Sequence, residues 1–417
     1  MLGLAFAYLR DRSLTTALNI LLLAISVAML VLLVQFSSQM TSRLERDSQG
    51  IDLVVGAKGS PLQLILSSIF HVDQPTGNIP FDSLAMLRRD PAVRAAIPLA
   101  LGDNFDGYRI VGTDASYVSF HGSKIDQGRM FETPMDAILG AAVARATGAR
   151  LGQQFIGSHG LETEQADGQG HDHAPFETVG ILAPSGTVLD RLILTSVESV
   201  WDVHGIDHDH REEPQGEHHH DHATGDQSQT TRGALEPELT AILVSYRNAS
   251  GAIRIPSMIN RQTDLQAATP AVETARLIAL FGAGMEGARI FAWLLAATGG
   301  LAIFIALLTM ARSREADLAL LRVMGASKPQ VFGTILLEGL ITAASGAIFG
   351  LIGAHAALFI ASRSFQTLGE LGLNAFGFLP AELAIVGAVL LIGVLAALIP
   401  AALVFRINLA RTLARTA

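Results

Sequence analysis

Nine of the thirteen histidines fall in two short stretches, and this crowding is the strongest chemical signal in the chain. The longer stretch, VHGIDHDHREEPQGEHHHDH, carries His204, His208, His210, His218, His219, His220 and His222, interleaved with Asp207, Asp209 and Asp221. A smaller cluster, His171-Asp172-His173, lies upstream. Imidazole and carboxylate together suit zinc, copper or nickel, with affinity set by deprotonation and by how many ligands converge. Adjacent histidines in a polar run are easily recruited but not preorganised, so an adaptable, multivalent site is expected rather than a closed cage, with zinc as the favoured metal. The competing reading is a solvated low-complexity loop whose metal binding has no physiological role. His71 and His121 are isolated in sequence and read as ordinary surface or satisfied histidines. The chain has no cysteine, which excludes disulfides and thiolate metal sites and fits an oxidising periplasm.

Signals for bond-breaking chemistry are missing. There is no nucleophile elbow and no H-E-x-x-H pair, and Ser185 lies in PSG rather than G-x-S-x-G. No G-x-x-x-x-G-K-[ST] phosphate loop occurs; GAKGSP, Gly56 to Pro61, has the wrong spacing. The chain is therefore expected to be non-catalytic with no intrinsic cofactor, and an ATP engine would have to be a separate polypeptide.

The second chemical signal is RSREADLALLRVMGASK, Arg312 to Lys328, a short basic element trapped between two apolar segments. Leu318, Leu321 and Val323 can supply apolar contacts while Arg314, Glu315, Asp317 and Arg322 present charge, so a short helix could enter a groove on a partner. Gly325 permits a turn before Pro329 starts the next helix. A basic loop that only fixes topology is the alternative.

These elements are positioned by four segments long enough to cross a bilayer, which takes about 20 mostly apolar residues. They cover 17–36, 288–311, 331–361 and 383–405. Half the residues are hydrophobic, 16% are charged and mean hydropathy is positive, as expected of an α-helical membrane protein with one plus three transmembrane helices. Helices are preferred because each satisfies its own backbone in lipid, whereas four scattered strands could not close into a barrel. A cleaved signal peptide is the other reading of the leading segment, but its apolar run exceeds the ~7–15 residues of a signal core. Short basic loops stay cytoplasmic: Arg10 and Arg12 precede the first span, Arg312, Arg314, Arg322 and Lys328 fill the loop 312–328, and Arg406, Arg411 and Arg415 lie in the tail 406–417. The segments 1–16, 312–328 and 406–417 are thus expected inside, and 37–284 and 362–380 outside.

The inserted region 37–284 holds 18 Lys or Arg against 31 Asp or Glu. So acidic a domain argues against nucleic-acid binding. It reads as a large α+β extracytoplasmic domain. Strands are expected over 51–55, 108–112, 176–182, 192–195 and 240–246, and helices over 81–89, 137–148, 197–204 and 253–260. Pro61, Pro98 and Pro256 are read as breaks. Ser37 to Ser48 can continue the first span as helix into water. Pro270 to Gly284 carries apolar residues at roughly helical spacing and could extend the second span outward, giving a helical stalk; an ordinary linker is the alternative. Gly299, Gly300, Gly346, Gly350 and Gly353 could allow close helix packing, without saying which helices touch.

With this layout, the chain resembles the FtsX and MacB type (type VII) of ABC transporter permease. RSRE, the following LALLRVMGAS and the next apolar span look like the family's coupling region. DLVVGAKGSPLQLILSSIFHVDQPTGNIP, Asp52 to Pro80, resembles the start of the external domain in some of these permeases. The resemblance implies a multi-pass protein of the bacterial inner membrane, working as a homodimer or heterodimer of permeases with a separate ABC ATPase that binds ATP. Arg312, Arg314, Glu315, Leu318, Leu321, Arg322 and Gly325 would form the ATPase-coupling surface, and motion would pass to the periplasmic domain by mechanotransmission. A periplasmic adaptor, lipoprotein or metal-binding protein would be a further partner. The alternative the family offers is an FtsX-like signalling or scaffold subunit that activates or recruits a periplasmic protein without moving cargo.

Overall fold

The computed structural model describes residues 2–11, 13–159, 175–204, 206, 236–313, 322–364 and 374–403. In chain order the elements begin with α1 (Leu2–Asp11) and α2 (Ser13–Asp47), then β1 (Leu53–Ala57), α3 (Pro61–Ser68), β2 (Ile79–Pro80) and α4 (Asp82–Arg88). Next come β3 (Val93–Phe105), β4 (Tyr108–Thr113), α5 (Ser116–Phe120), β5 (Ile125–Gly128), β6 (Asp136–Leu139) and α6 (Ala141–Thr147). After β7 (Gln154–Phe155), β8 (Ser158–His159) and β9 (Phe176–Leu182), a 3-10 turn (Val188–Arg191) leads to β10 (Ile193–Ser196) and α7 (Val197–His204). The rest is β11 (Glu238–Leu239), β12 (Ala241–Tyr246), α8 (Ala249–Gln262), β13 (Leu265–Ala268), α9 (Pro270–Ser313), α10 (Lys328–Ser364) and α11 (Pro380–Leu403). Two compact units result: Met1–Ser42 with Ile278–Ala417, and Arg43–Leu277.

The first unit is a helical bundle. α2, α9, α10 and α11 are each long and apolar enough to cross a membrane, and each contains one of the four apolar runs. Leu23 and Val27 of α2, Ile303 and Leu307 of α9, Ala343 and Ala347 of α10, and Val389 and Ala397 of α11 share one buried core. Lipid gives helices no hydrophobic drive to associate, so contact depends on close van der Waals packing. Glycine supplies it: a Cβ at Gly350 would lie 2.6 Å from Val27 Cβ, and one at Gly346 2.6 Å from Leu23 Cβ. Gly299 likewise faces Leu23 and Gly300 faces Ile392, whereas Gly353 meets nothing within 4 Å. Ile348, Phe349 and Ile352 stay exposed on α10, as side chains facing hydrocarbon would.

The second unit is an α+β domain built on an eleven-stranded mixed sheet, with the order β13-β1-β12-β3-β4-β10-β6-β9-β5 and with β7 on β9 and β8 on β3. Alternation sends neighbouring side chains to opposite faces. Leu243 of β12 joins a core with Leu64 and Ile65 of α3 and Tyr117 of α5. Its neighbours Ile242 and Val244 join another with Leu84 of α4, Trp201 of α7 and Ile259 of α8. Helices therefore cover both faces, and the central strands read as apolar runs rather than alternating ones.

Three expectations are corrected here. The segment 137–148 is not one helix: Ala137, Ile138 and Leu139 are fully buried in β6, between β9 and β10, and only then does α6 begin. Sheet burial overrides local helix preference. Pro98 does not break the chain but lies inside the 13-residue β3, paired with Ile242, and its carbonyl accepts from Thr113 Oγ1 at 2.8 Å. Pro256 sits inside α8, four residues after exposed Ala252, whose carbonyl can turn to water in place of the missing N–H. Pro61 opens α3 at its first position, after the Ser60 cap, where no N–H is needed.

Candidate functional site

Two sets of sequence-predicted residues come to the structure differently. In the coupling segment, Arg312 lies in the last turn of α9, while Arg314, Glu315, Leu318 and Leu321 fall outside the described residues. Arg322 is partly buried, and Val323 and Met324 are 58% and 68% exposed. Gly325 has φ of +103°, a conformation that excludes most side chains. The chain then enters α10 through reciprocal caps: Gln330 N–H donates to Ser327 Oγ at 3.4 Å, and Ser327 N–H donates to Gln330 Oε1 at 2.7 Å. Pro329 takes the second helical position. An exposed apolar pair is thus held before a sharply set helix start. In the same unit, a cavity of about 50 Å³ is lined by Thr16, Asn19, Ile303, Leu307, Glu338 and Thr342. Glu338 is only 1% exposed.

A polar knot in this unit was missed from sequence. Glu382 is fully buried. It accepts from Gln35 Nε2 at 2.5 Å and from Leu379 N–H at 3.3 Å, and it meets His355 Nε2 at 3.2 Å. His355 Nδ1 lies 2.7 Å from the Ala375 carbonyl, and Gln35 also donates to the Gly377 carbonyl. The knot joins α2, α10, α11 and the 374–379 turn. Its signal in sequence was faint: a lone acid two residues after Pro380.

Of the nine candidate metal ligands, only His204 is described; His171, His173, His208, His210, His218, His219, His220 and His222 lie outside the described residues. Among the described residues no group of three or more His, Cys, Asp or Glu is placed to hold a metal. His204 ends α7. Its Nδ1 lies 2.7 Å from the Val200 carbonyl, and its Nε2 faces Asp103 Oδ1 at 3.6 Å. Asp103, on β3, is 5% exposed. β8 pairs with β3 so that His159 stands opposite Asp103 in the register.

Of the isolated histidines, His71 is buried and His121 half-buried. His71 is 8% exposed, with Nε2 3.3 Å from the Tyr117 hydroxyl. Burial, with Arg109 and Arg191 nearby, pushes its imidazole well below the usual range. Burial pushes His121 down to about 4. Close by in the same unit, Asp47 ends α2 with 1% exposure; its Oδ1 accepts from Val188 N–H at 2.8 Å, and Arg43 Nε stands 3.8 Å from Oδ2.

One apolar helix ahead of a large inserted domain and three behind it define a multi-pass membrane protein with an extracytoplasmic domain. The MacB-like periplasmic core domain family matches residues 16–248 and the FtsX-like permease C-terminal family matches 289–409, and the chain belongs to this FtsX/MacB-type permease family. Among solved structures it is similar to the periplasmic region of MacB from Actinobacillus actinomycetemcomitans, at 12% identity and a TM-score of 0.34, over 55% of this chain and 95% of that one. It is also similar to the extracellular domain of the noncanonic ABC-type transporter YknZ from Gram-positive bacteria, at 12% identity and a TM-score of 0.30, over 52% and 99% of the two chains. No curated protein sequence matches. The family is one of non-catalytic membrane subunits that partner an ABC ATPase, and it implies the inner membrane with the inserted domain in the periplasm.

Proposed function

We propose that this permease converts ATP hydrolysis on a separate ATPase into movement of its periplasmic domain. Helix length carries the reading. α2 has 35 residues and α9 has 44, so at 1.5 Å per residue they extend about 52 and 66 Å. The hydrocarbon core is only about 30 Å thick. Each helix continues well past the bilayer without a break, and an unbroken helix delivers at one end a displacement applied at the other, as a loop cannot. The outer end of α2 is fastened by the buried Asp47 to Val188 bond.

In this reading Arg312, Arg314, Glu315, Leu318, Leu321, Arg322 and Gly325 form the surface that meets the ATPase. The working unit is a homodimer or heterodimer of permeases, with a periplasmic adaptor, lipoprotein or metal-binding protein as further partner. The histidine-rich segment binds zinc and links metal to the domain's action. Replacing Arg314 and Arg322 with alanine weakens co-purification of the ATPase while membrane insertion stays intact; undiminished co-purification rejects the coupling surface. ATP-dependent displacement of a defined cargo supports transport. Activation or recruitment of a periplasmic protein without displacement moves the case to the FtsX-like signalling role.

A further inference from the structure

Glu382 is the sole charged residue of α11 and is fully buried. It stands beside the turn 374–379, which the family topology places outside: α2 leads out to the periplasmic domain, α9 returns, and α10 crosses outward again. The turn is tied to α2 at its start. Asn374 N–H donates to Gln39 Oε1 at 2.7 Å, and Gln39 Nε2 donates to the Asn374 carbonyl at 3.1 Å and to Gln35 Oε1 at 2.9 Å.

The protons of the knot can be counted. A carbonyl can only accept, so His355 Nδ1 is the donor in its 2.7 Å contact with Ala375. Glu382 Oε1 faces two donors, Gln35 Nε2 and Leu379 N–H, so that oxygen carries no proton. What remains is the 3.2 Å contact between His355 Nε2 and Glu382 Oε2. With no proton there, a lone pair faces a carboxylate, and a buried charge is left without its partner. With one, the contact is a hydrogen bond, either imidazolium to carboxylate or carboxylic acid to neutral imidazole. A second proton would stand on a carboxylate oxygen that already faces a donor. The knot therefore fits one shared proton, and neither none nor two.

We infer that His355 and Glu382 form a binding site for a single proton, which latches the outer turn to α2 and α10. The side chain of His355 is 21% exposed while that of Glu382 is fully buried, so the proton enters and leaves by the ring. Other charges on the outward halves of these helices are engaged elsewhere. On α2 the facing groups are the amides Gln35 and Gln39, and Arg43 stands by Asp47. Arg363 of α10 lies 4.7 Å over the Phe359 ring, and Glu286 and Arg289 of α9 pair with each other. The latch is closed while the proton is held; as pH rises and the proton leaves, the ring and the carboxylate separate, and the hold on Ala375 goes with them. The pH outside the membrane thereby decides whether α2 is fastened to the start of α11. This does not rest on the ATPase reading above.

The chain has no cysteine, so Phe376→Cys, at an 80% exposed position, carries a single nitroxide on the turn of the full-length protein in detergent. Label mobility is followed from about pH 5 to about pH 10. In the otherwise wild-type chain the label is expected to be ordered at the acid end and to become mobile as pH rises. A one-proton curve shifts the latched-to-open ratio about tenfold per pH unit. Glu382→Gln keeps an oxygen for Gln35 and Leu379 and offers the ring a permanent N–H, so its label should stay ordered throughout. His355→Gln, neutral at every pH, should lose the transition as well, and it decides alone should Glu382→Gln fail to accumulate. The same transition in either variant assigns it to another group and overturns the latch; so does a wild-type label whose mobility is constant with pH. A label mobile at every pH in Glu382→Gln makes the carboxylate a structural tie alone and overturns the proton's role.

Discussion

Replacing Asp47 with alanine should loosen the periplasmic domain from the end of α2, and the size of the effect can be worked out. The side chain is nearly inaccessible, its Oδ1 accepts the Val188 N–H at 2.8 Å, and Arg43 stands 3.8 Å from Oδ2. Removing the carboxylate strands a buried N–H, which costs about 1–3 kcal/mol. It also leaves a mostly buried guanidinium without that carboxylate, and breaking a buried pair costs about 3–5 kcal/mol in full. The 3.8 Å separation is long for an ion pair, so the pair falls below that range, at about 2 kcal/mol, and with about 1 for the stranded N–H the total is about 3 kcal/mol. For a unit of this size about 2–4 °C accompanies each kcal/mol, giving a fall of about 6–12 °C in melting temperature. Asp47→Asn keeps an acceptor for Val188 but removes the charge facing Arg43, so it should lose about 2 kcal/mol, about 1 less than the alanine variant. The assay is thermal unfolding of the full chain in detergent, with hydrogen exchange at the Val188 amide as a local reporter. Equal melting temperatures and unchanged exchange in both variants would show that this joint holds nothing.

Acid should destabilise the same domain. His71 and His121 are held neutral by burial, His71 well below its usual range and His121 at about 4, whereas in the unfolded chain both titrate near 6.5. Their contribution is complete above pH 6.5 and is lost as pH falls toward 4, because the unfolded state takes up the extra protons there; the slope is about 1.4 kcal/mol per pH unit for each histidine. Unfolding measured across that window should show His121→Gln with a shallower dependence than wild type; parallel curves would contradict it. Glu382→Ala removes the shared acceptor of Gln35 and Leu379 in the bundle. It should cost about 2–4 kcal/mol, while Glu382→Gln, which keeps an acceptor, costs less; melting in detergent ranks them, and equal losses would deny the carboxylate its role as the knot's hub.

What sequence could reveal here follows from how far its signals reach. The four apolar runs were legible because lipid imposes a length and a composition on each span independently of the others. α7 and β9 were legible for a similar reason, since each carries its pattern locally. β3 and β6 were not: Pro98 and Ala137 behave as they do because neighbouring strands, distant in the chain, supply burial and bonds. The acids that matter were hidden in the same way. Asp47 finds its partner at Val188, Asp103 at His204 and Glu382 at Gln35, and a lone acid in a sequence gives no hint of a partner a hundred or more residues away. The histidine run, by contrast, advertised itself by crowding alone.

The glycine seam between α2 and α10 sets a timetable for manufacture. Leu23 and Val27 rest against Gly346 and Gly350, so the first span leaves the ribosome about 320 residues before its seam partner exists. At about 5–20 residues per second that is a wait of roughly 16–64 s. Through that interval Gln35 has neither the Gly377 carbonyl nor Glu382 to bond with, and the whole acidic domain must be exported and begin to fold. The nascent protein therefore passes through a long-lived single-anchor stage, in which α2 depends on the insertion machinery or a membrane chaperone for company. Quality control that acts on unassembled spans should find this permease vulnerable there, before any of its three later helices has been made.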